Sequence, residues 1–180
     1  MNARTIHKAP GQQHDVADLL QTIFATELAA PSGGLWLVSP WVSDIPVIDN
    51  RAGDFSTMLD PAWGDRWITL SEVLARLVTL GTHVVLGVRR EHEFTDAFVS
   101  RTQELARLGA ADRLTVRRSD DLHHKGLLTD RCHLGGSMNF TFNGIALLQE
   151  TVRYTANQSE LAGLRLEYHA TWGGTLPPIS

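Results

Sequence analysis

Between Leu122 and Glu150 the chain carries more reactive side chains than in any other stretch: LHHKGLLTDRCHLGGSMNFTFNGIALLQE. His123 and Lys125 stand two apart ahead of an apolar GLL run. Alternate residues of a β-strand share a face roughly 6 to 7 Å apart, so an imidazole and an ammonium are expected to project together. Asp130 follows, then Gly135, Gly136, Ser137 and Asn139. A glycine turn trailed by a hydroxyl and an amide offers hydrogen bonds to an anion. A nucleophile beside cations and neutral donors is what attack at phosphorus needs.

The rest of the chain must hold that stretch. Its 180 residues suit a single domain, 1–180, with a sizeable core. A hydrophobic content of 43% with mixed charges fits a globular protein, and no apolar run approaches the roughly 18 residues that cross a bilayer. The first 14 residues are polar and are read as a flexible N-terminal segment without the apolar core of a secretory signal. Cys132 is the only cysteine, so no internal disulfide forms, and the cytoplasm is the expected compartment. The net charge of −4 excludes bulk electrostatic coating of nucleic acid but allows a local basic cleft. Of the 16 basic residues only Lys8 and Lys125 are lysine.

Helical and strand patterns alternate along the chain. Residues 15–29 have helical apolar spacing behind a possible cap at Asp15, and Pro31, Gly33 and Gly34 end the segment. LWLVSPWV, 35–42, reads as a strand buried on both faces, with Asp44 just beyond it. Residues 45–68, rich in Pro, Gly and acidic residues, read as a long loop insertion, and Trp63 and Trp67 suggest that it packs. A helix over 69–80 with Ser71 near its start, a strand over 83–88, a helix over 94–108 and a strand from Leu114 follow. Closely spaced strands near Leu122, Cys132 and Gln149, the strand TVRY after Glu150, and a helix over 157–172 complete the chain. This order predicts an α/β fold with a mixed, mostly parallel central sheet flanked by helices on both faces, and functional residues where the strands' C-terminal ends open onto loops.

His-x-Lys, an aspartate five residues after the lysine, and then GGSMN resemble the HKD signature of the phospholipase D superfamily, carried by His123, Lys125, Asp130, Gly136, Ser137 and Asn139. SPWVSD, 39–44, also looks like the segment that the family places beside its active site. The gap between aspartate and Gly-Ser is one residue shorter than the family's usual six, which demands a tighter turn or a share of the role for Gly135. The resemblance implies a phosphodiesterase in which neutral His123 attacks phosphorus while Lys125, Ser137 and Asn139 hold the non-bridging oxygens, with no cofactor and no metal. It implies further that Glu150 orients the histidine and that Asp130 supports the motif structurally. His124 should face the other way and pack behind the site.

The family's chemistry uses two histidines, one as nucleophile and one as the acid for the leaving oxygen, and this chain holds one copy of the motif. A homodimer with the active site at the two-fold interface supplies both. Short single-motif members resemble bacterial endonucleases, including components of phage-defence systems, so the expected substrate is nucleic acid, DNA before RNA. Arg89, Arg90, Arg117 and Arg118 are candidate backbone contacts, or equally a solvated charge cluster. Three alternatives stay open: a lipid phosphodiesterase or phosphatidyltransferase, a non-catalytic nucleic-acid-binding subunit of a defence complex, and a zinc site from His123 or His124 with Cys132 and His133.

Overall fold

A computed structural model describes residues 4–7, 13–107, 109–147 and 150–174. Fourteen helices and strands follow one another among them: β1 (Arg4–His7), α1 (Gln13–Ala29), β2 (Gly34–Val38), β3 (Pro46–Asp49), α2 (Asp54–Met58), β4 (Trp67–Thr69), α3 (Leu70–Thr79), β5 (His83–Arg89), α4 (Glu93–Ala106), β6 (Leu114–Ser119), β7 (Gly126–Leu128), β8 (His133–Gly136), β9 (Thr151–Thr155) and α5 (Gln158–Trp172). A 3-10 turn at Ala111–Arg113 and a π-helical turn at Asn143–Leu147 lie between them.

Seven strands form one sheet in the order β1-β9-β8-β7-β2-β5-β6. β2, β5 and β6 pair in parallel, while β7, β8, β9 and β1 join by antiparallel ladders. The sheet is therefore mixed as expected, with every strand except β7 and β9 running in one direction. The parallel half comes from the βαβ crossovers through α3 and α4, and the antiparallel half from the short connections after Leu122.

β2 shows why the sheet is covered on both faces. All five residues of GLWLV are buried. Leu35 and Leu37 join the cluster built from α1, α3 and α4, which includes Phe24, Leu74, Leu77 and Phe98. Trp36 and Val38 point the other way, onto Leu161 and Tyr168 of α5. Strand alternation divides one apolar run between two cores. β5 repeats this division: Val84, Leu86 and Val88 face the first cluster and Val85 the second.

Several boundaries differ from the sequence reading. Residues 4–7 form β1 and pair with β9, so this part of the supposedly flexible start closes one edge of the sheet. The flexibility expected of 1–3 and 8–12 lies outside the described residues. α1 begins at Gln13, which places Asp15 inside the helix. Residues 45–68 are not a structureless loop but the hairpin-like pair β3 and β4 enclosing α2. Buried Asn50 organises it: its amide donates to Ser56 Oγ and Gly64 O, both at 2.6 Å, and its Oδ1 accepts from Phe55 N at 2.8 Å. A side chain that satisfies the backbone locally substitutes for regular structure. Trp63 is buried, whereas Trp67 is exposed. α3 begins at Leu70; the Thr69 N–H donates to the Glu72 carboxylate, and Asp44 accepts from Ser71 N and Oγ at 2.9 and 2.8 Å. Asn157 caps α5 by accepting from Glu160 N at 3.1 Å.

Candidate active site

The register brings most of the reactive residues to one end of the sheet. Val38, last in β2, pairs with Gly126, first in β7; Gly126 pairs with Gly135 and Gly136 with Val152. The segment before β7, the segment after β8 and the segment before β9 consequently converge where the parallel strands end. His123, Lys125, Ser137, Asn139 and Glu150 all lie on them.

His123 and Lys125 precede β7 rather than belonging to it, so a shared strand face does not account for their placement. The physical reason lies in the neighbouring strand: Ser39 N already donates to Gly87 O, and Pro40 has no N–H with which to extend a ladder towards β7. Lys125 is nevertheless fixed. Its Nζ donates to the His123 carbonyl at 3.0 Å, and its own carbonyl accepts from Gly136 N at 3.3 Å. An ammonium has three donors, so two remain for a ligand. The His123 imidazole is exposed. Lys125 lies beside Gly135, Gly136 and Met138.

Gly136 makes the short turn possible. Its φ is 147°, and a Cβ there would lie 2.0 Å from the Thr151 carbonyl oxygen. Only glycine permits that approach. Ser137 then sits against β9: its N–H donates to Thr151 O at 3.1 Å, its Oγ accepts from Thr151 N at 3.0 Å, and the hydroxyl donates to the Glu150 carboxylate. Glu150 was expected to hold His123; among the described residues its hydrogen-bond partner is Ser137 instead. The pairing of Gly136 with Val152 sets this, because it sets Ser137 opposite Thr151, the residue next to Glu150.

Asn139 is oriented by a residue that the motif does not contain. Its Oδ1 accepts from buried Ser39 Oγ at 3.2 Å, and the same hydroxyl lies 2.9 Å from Trp41 O. With the carbonyl end held, the amide nitrogen is left to donate into the site. Ser39 lies in the SPWVSD segment, and an isolated bridge from Val42 to Phe140 keeps that segment against the residue after Asn139. The signal in the sequence was a hydroxyl at the end of the most buried strand.

Asp130 does not join the site. The three residues of β7 and Thr129 lie between it and Lys125, a span of roughly 16 Å at about 3.3 Å per residue. There its Oδ2 accepts from Gly33 N at 2.7 Å, its N–H donates to Ser32 Oγ at 3.2 Å, and Arg165 of α5 reaches its carbonyl at 3.0 Å. The structural role is seen; contact with a reacting group at the His123 end is not.

His124 projects to the face covered by α5. Its Nε2 lies 2.6 Å from the hydroxyl of Tyr168, and His133 Nε2 lies 3.0 Å from the same oxygen. Burial lowers the pKa of both histidines, His133 to about 4, and raises that of Tyr168. Cys132 turns into the opposite core beside Thr129, with its thiol pushed up to about 11 by burial. The zinc set of histidine and Cys132 is thereby split between two faces. Among the described residues no three His, Cys, Asp or Glu side chains come together in a way that could hold a metal ion. The arginines are partly committed within the fold: Arg90 to Asp120 at 3.5 Å, Arg117 to Trp172 O at 3.2 Å, and Arg118 to Asp96.

No protein-family model matches the sequence, and no curated protein sequence matches it. Solved structures do share its architecture. The chain superposes on Nuc, a phospholipase D family member from Salmonella typhimurium, with a TM-score of 0.60 at 12% identity, covering 95% of this chain and 93% of that one. NucT from Helicobacter pylori gives a TM-score of 0.58 at 10% identity, with 94% of each chain covered. Polyphosphate kinase from Porphyromonas gingivalis gives 0.61 at 14% identity over 99% of this chain. The protein has the phospholipase D fold. It spans 27% of the polyphosphate kinase, yet nearly the whole of Nuc and NucT. The resemblance drawn from the HKD-like residues and the likeness of fold thus agree.

Proposed function

We propose that the protein is a phosphodiesterase acting through His123, with nucleic acid as its substrate, in a site completed by a second copy of the chain. The observation that carries this reading is the convergence of exposed His123, Lys125, Ser137 and the oriented amide of Asn139 at one end of the sheet.

The neutral His123 imidazole attacks phosphorus, the bond to the leaving oxygen breaks, and a phosphohistidine forms. Lys125 and the Asn139 amide balance the charge that grows on the non-bridging oxygens. The leaving oxygen needs a proton, and the second histidine for that step comes from the partner subunit's His123. That imidazole, now neutral, takes a proton from water as the water attacks phosphorus and releases His123. These steps use only the protein's own cations and donors and require no metal.

Two features support the dimer. His123 and Ser137 are exposed, so a substrate bound to one subunit would remain open to water. The segments at this end, including the first turn of α4, also present Trp41, Phe94 and Phe142 with 38%, 47% and 59% of their surfaces exposed. Large aromatic groups on a surface mark a face that another molecule covers. The likeness of fold to Nuc and NucT is what supports the nuclease reading.

The test is incubation of purified protein in EDTA with single- and double-stranded DNA, RNA, phosphatidylcholine vesicles and a chromogenic phosphodiester, beside His123→Ala. Nucleic-acid cleavage that survives chelation and disappears in the variant is expected. Cleavage of vesicles alone would replace the substrate assignment, and activity retained by His123→Ala would refute the mechanism.

A further inference from the structure

Behind the catalytic segment, side chains from three elements meet at one hydroxyl. His124 precedes β7, His133 opens β8, and Tyr168 comes from α5, with its oxygen 2.6 and 3.0 Å from the two Nε2 atoms. Both imidazoles meet the phenol ring edge-on, at interplanar angles of 81° and 79°. Tyr168 is only 1% exposed. The chain makes room for this meeting at Gly126, where a Cβ would lie 2.2 Å from the Tyr168 oxygen and 3.0 Å from His133 Nε2.

We infer that Tyr168 is a positioning residue for the catalytic segment, its hydroxyl locking His124 and His133 in complementary tautomers and so holding the backbone that carries His123 and Lys125. The inference rests on the phosphodiesterase reading for its effect on rate, but its geometry is independent of it. A phenol has one hydrogen to give and lone pairs to accept with. Donating to one Nε2, it must accept from the other, so one imidazole carries its proton on Nδ1 and its counterpart on Nε2. His124 is the middle residue of His123-His124-Lys125. Anchoring it to α5 on one face, while Gly136 N holds the Lys125 carbonyl, leaves the flanking side chains little freedom to turn.

The phenol ring packs with Trp36, Val38 and Leu161, so its apolar contribution to the core survives loss of the oxygen. Tyr168→Phe therefore separates positioning from packing. On the chromogenic diester this variant is expected to lower kcat about 10- to 100-fold with KM within about twofold, since small misplacement of a reacting group carries penalties of that size. His124→Gln, whose amide places a donor and an acceptor near the Nε2 position, should recover most of the activity that His124→Ala loses.

Nitrogen-15 NMR of the histidine side chains gives a readout that does not depend on turnover. Wild-type protein should show His124 and His133 as opposite tautomers, and Tyr168→Phe should abolish that pairing and broaden or shift the His123 signals. A kcat within twofold of wild type, identical tautomers at the two histidines, or unchanged His123 signals in Tyr168→Phe would each overturn the inference. Should wild-type protein cleave no diester at all, the functional reading fails by itself, and the NMR result still decides the role of Tyr168.

Discussion

The Asp130 carboxylate accepts a hydrogen bond from the Gly33 N–H at 2.7 Å, at the end of β7 that points away from His123. One short strand thus carries the aspartate of the HKD-like run to the opposite side of the sheet from its histidine. There it ties the turn before β2 to the turn after β7, and Arg165 ties both to α5. Asp130→Ala should lower stability by about 1–3 kcal/mol, the range for losing a hydrogen bond to a charged group. The kcat of the folded protein should stay within about threefold of wild type. Urea denaturation and steady-state kinetics on the same preparation separate the two, and a large fall in kcat at unchanged stability would return Asp130 to the catalytic group.

Ser39 touches the proposed site through its hydrogen bond to Asn139. Ser39→Ala releases the Asn139 carbonyl, so the amide should turn freely and kcat should fall about tenfold, equivalent to about 1.4 kcal/mol of transition-state stabilisation. Cleavage kinetics of the chromogenic diester measure this directly, and a rate equal to wild type would show that the Asn139 amide needs no support.

The turn at Gly136 tolerates no side chain. Gly136→Ala pushes a methyl group into the Thr151 carbonyl at a φ of 147°, and a loss of more than about 2 kcal/mol, or failure to fold, is expected. By contrast Gly163, where a Cβ meets nothing within 4 Å, lies mid-helix, and Gly163→Ala should stabilise by up to about 1 kcal/mol. Melting temperatures of the pair provide the comparison.

His133 makes stability depend on pH. Burial holds its folded pKa down to about 4, below the ordinary histidine value of 6.5, so the unfolded chain takes up a proton at a pH where the folded protein does not. Stability from this group is present above about pH 6.5 and is lost as pH falls towards 4, on the order of 3 kcal/mol in all. Urea midpoints at pH 7, 5.5 and 4.5 should fall more steeply for wild type than for His133→Gln, and parallel slopes would exclude the buried imidazole as the cause.

A site shared across a two-fold axis has a signature in mixing. Wild-type subunits exchanged with His123→Ala should lose activity as the square of the wild-type fraction, because a mixed dimer lacks one of the two histidines. A linear dependence would mean that each chain works alone. Light scattering of the wild-type protein should give twice the chain mass.

Much of the fold was legible because each strand and helix carries its own local pattern. The run LWLV is apolar throughout because Leu35 and Leu37 serve one core while Trp36 and Val38 serve another. The excursion over 45–68 was opaque because its order comes from Asn50, one polar side chain making bonds up to 14 residues away, which leaves no periodicity to detect. β1 was missed for a related reason: a four-residue edge strand depends on its partner β9 and carries little signal of its own. In the site, the types and spacing of His123, Lys125, Ser137 and Asn139 were visible. The partners that set their geometry were not, since Ser39 and Tyr168 lie 100 and 44 residues from the groups that they hold.

The central claim is that His123 becomes covalently bound to phosphorus. Rapid quenching of a cleavage reaction in alkali, where phosphohistidine persists, followed by peptide mass spectrometry, tests it most directly. A phosphoryl adduct on the peptide containing His123, formed in EDTA and absent from His123→Ala, is the predicted result. Cleavage without an adduct, or with an adduct on another residue, would contradict it.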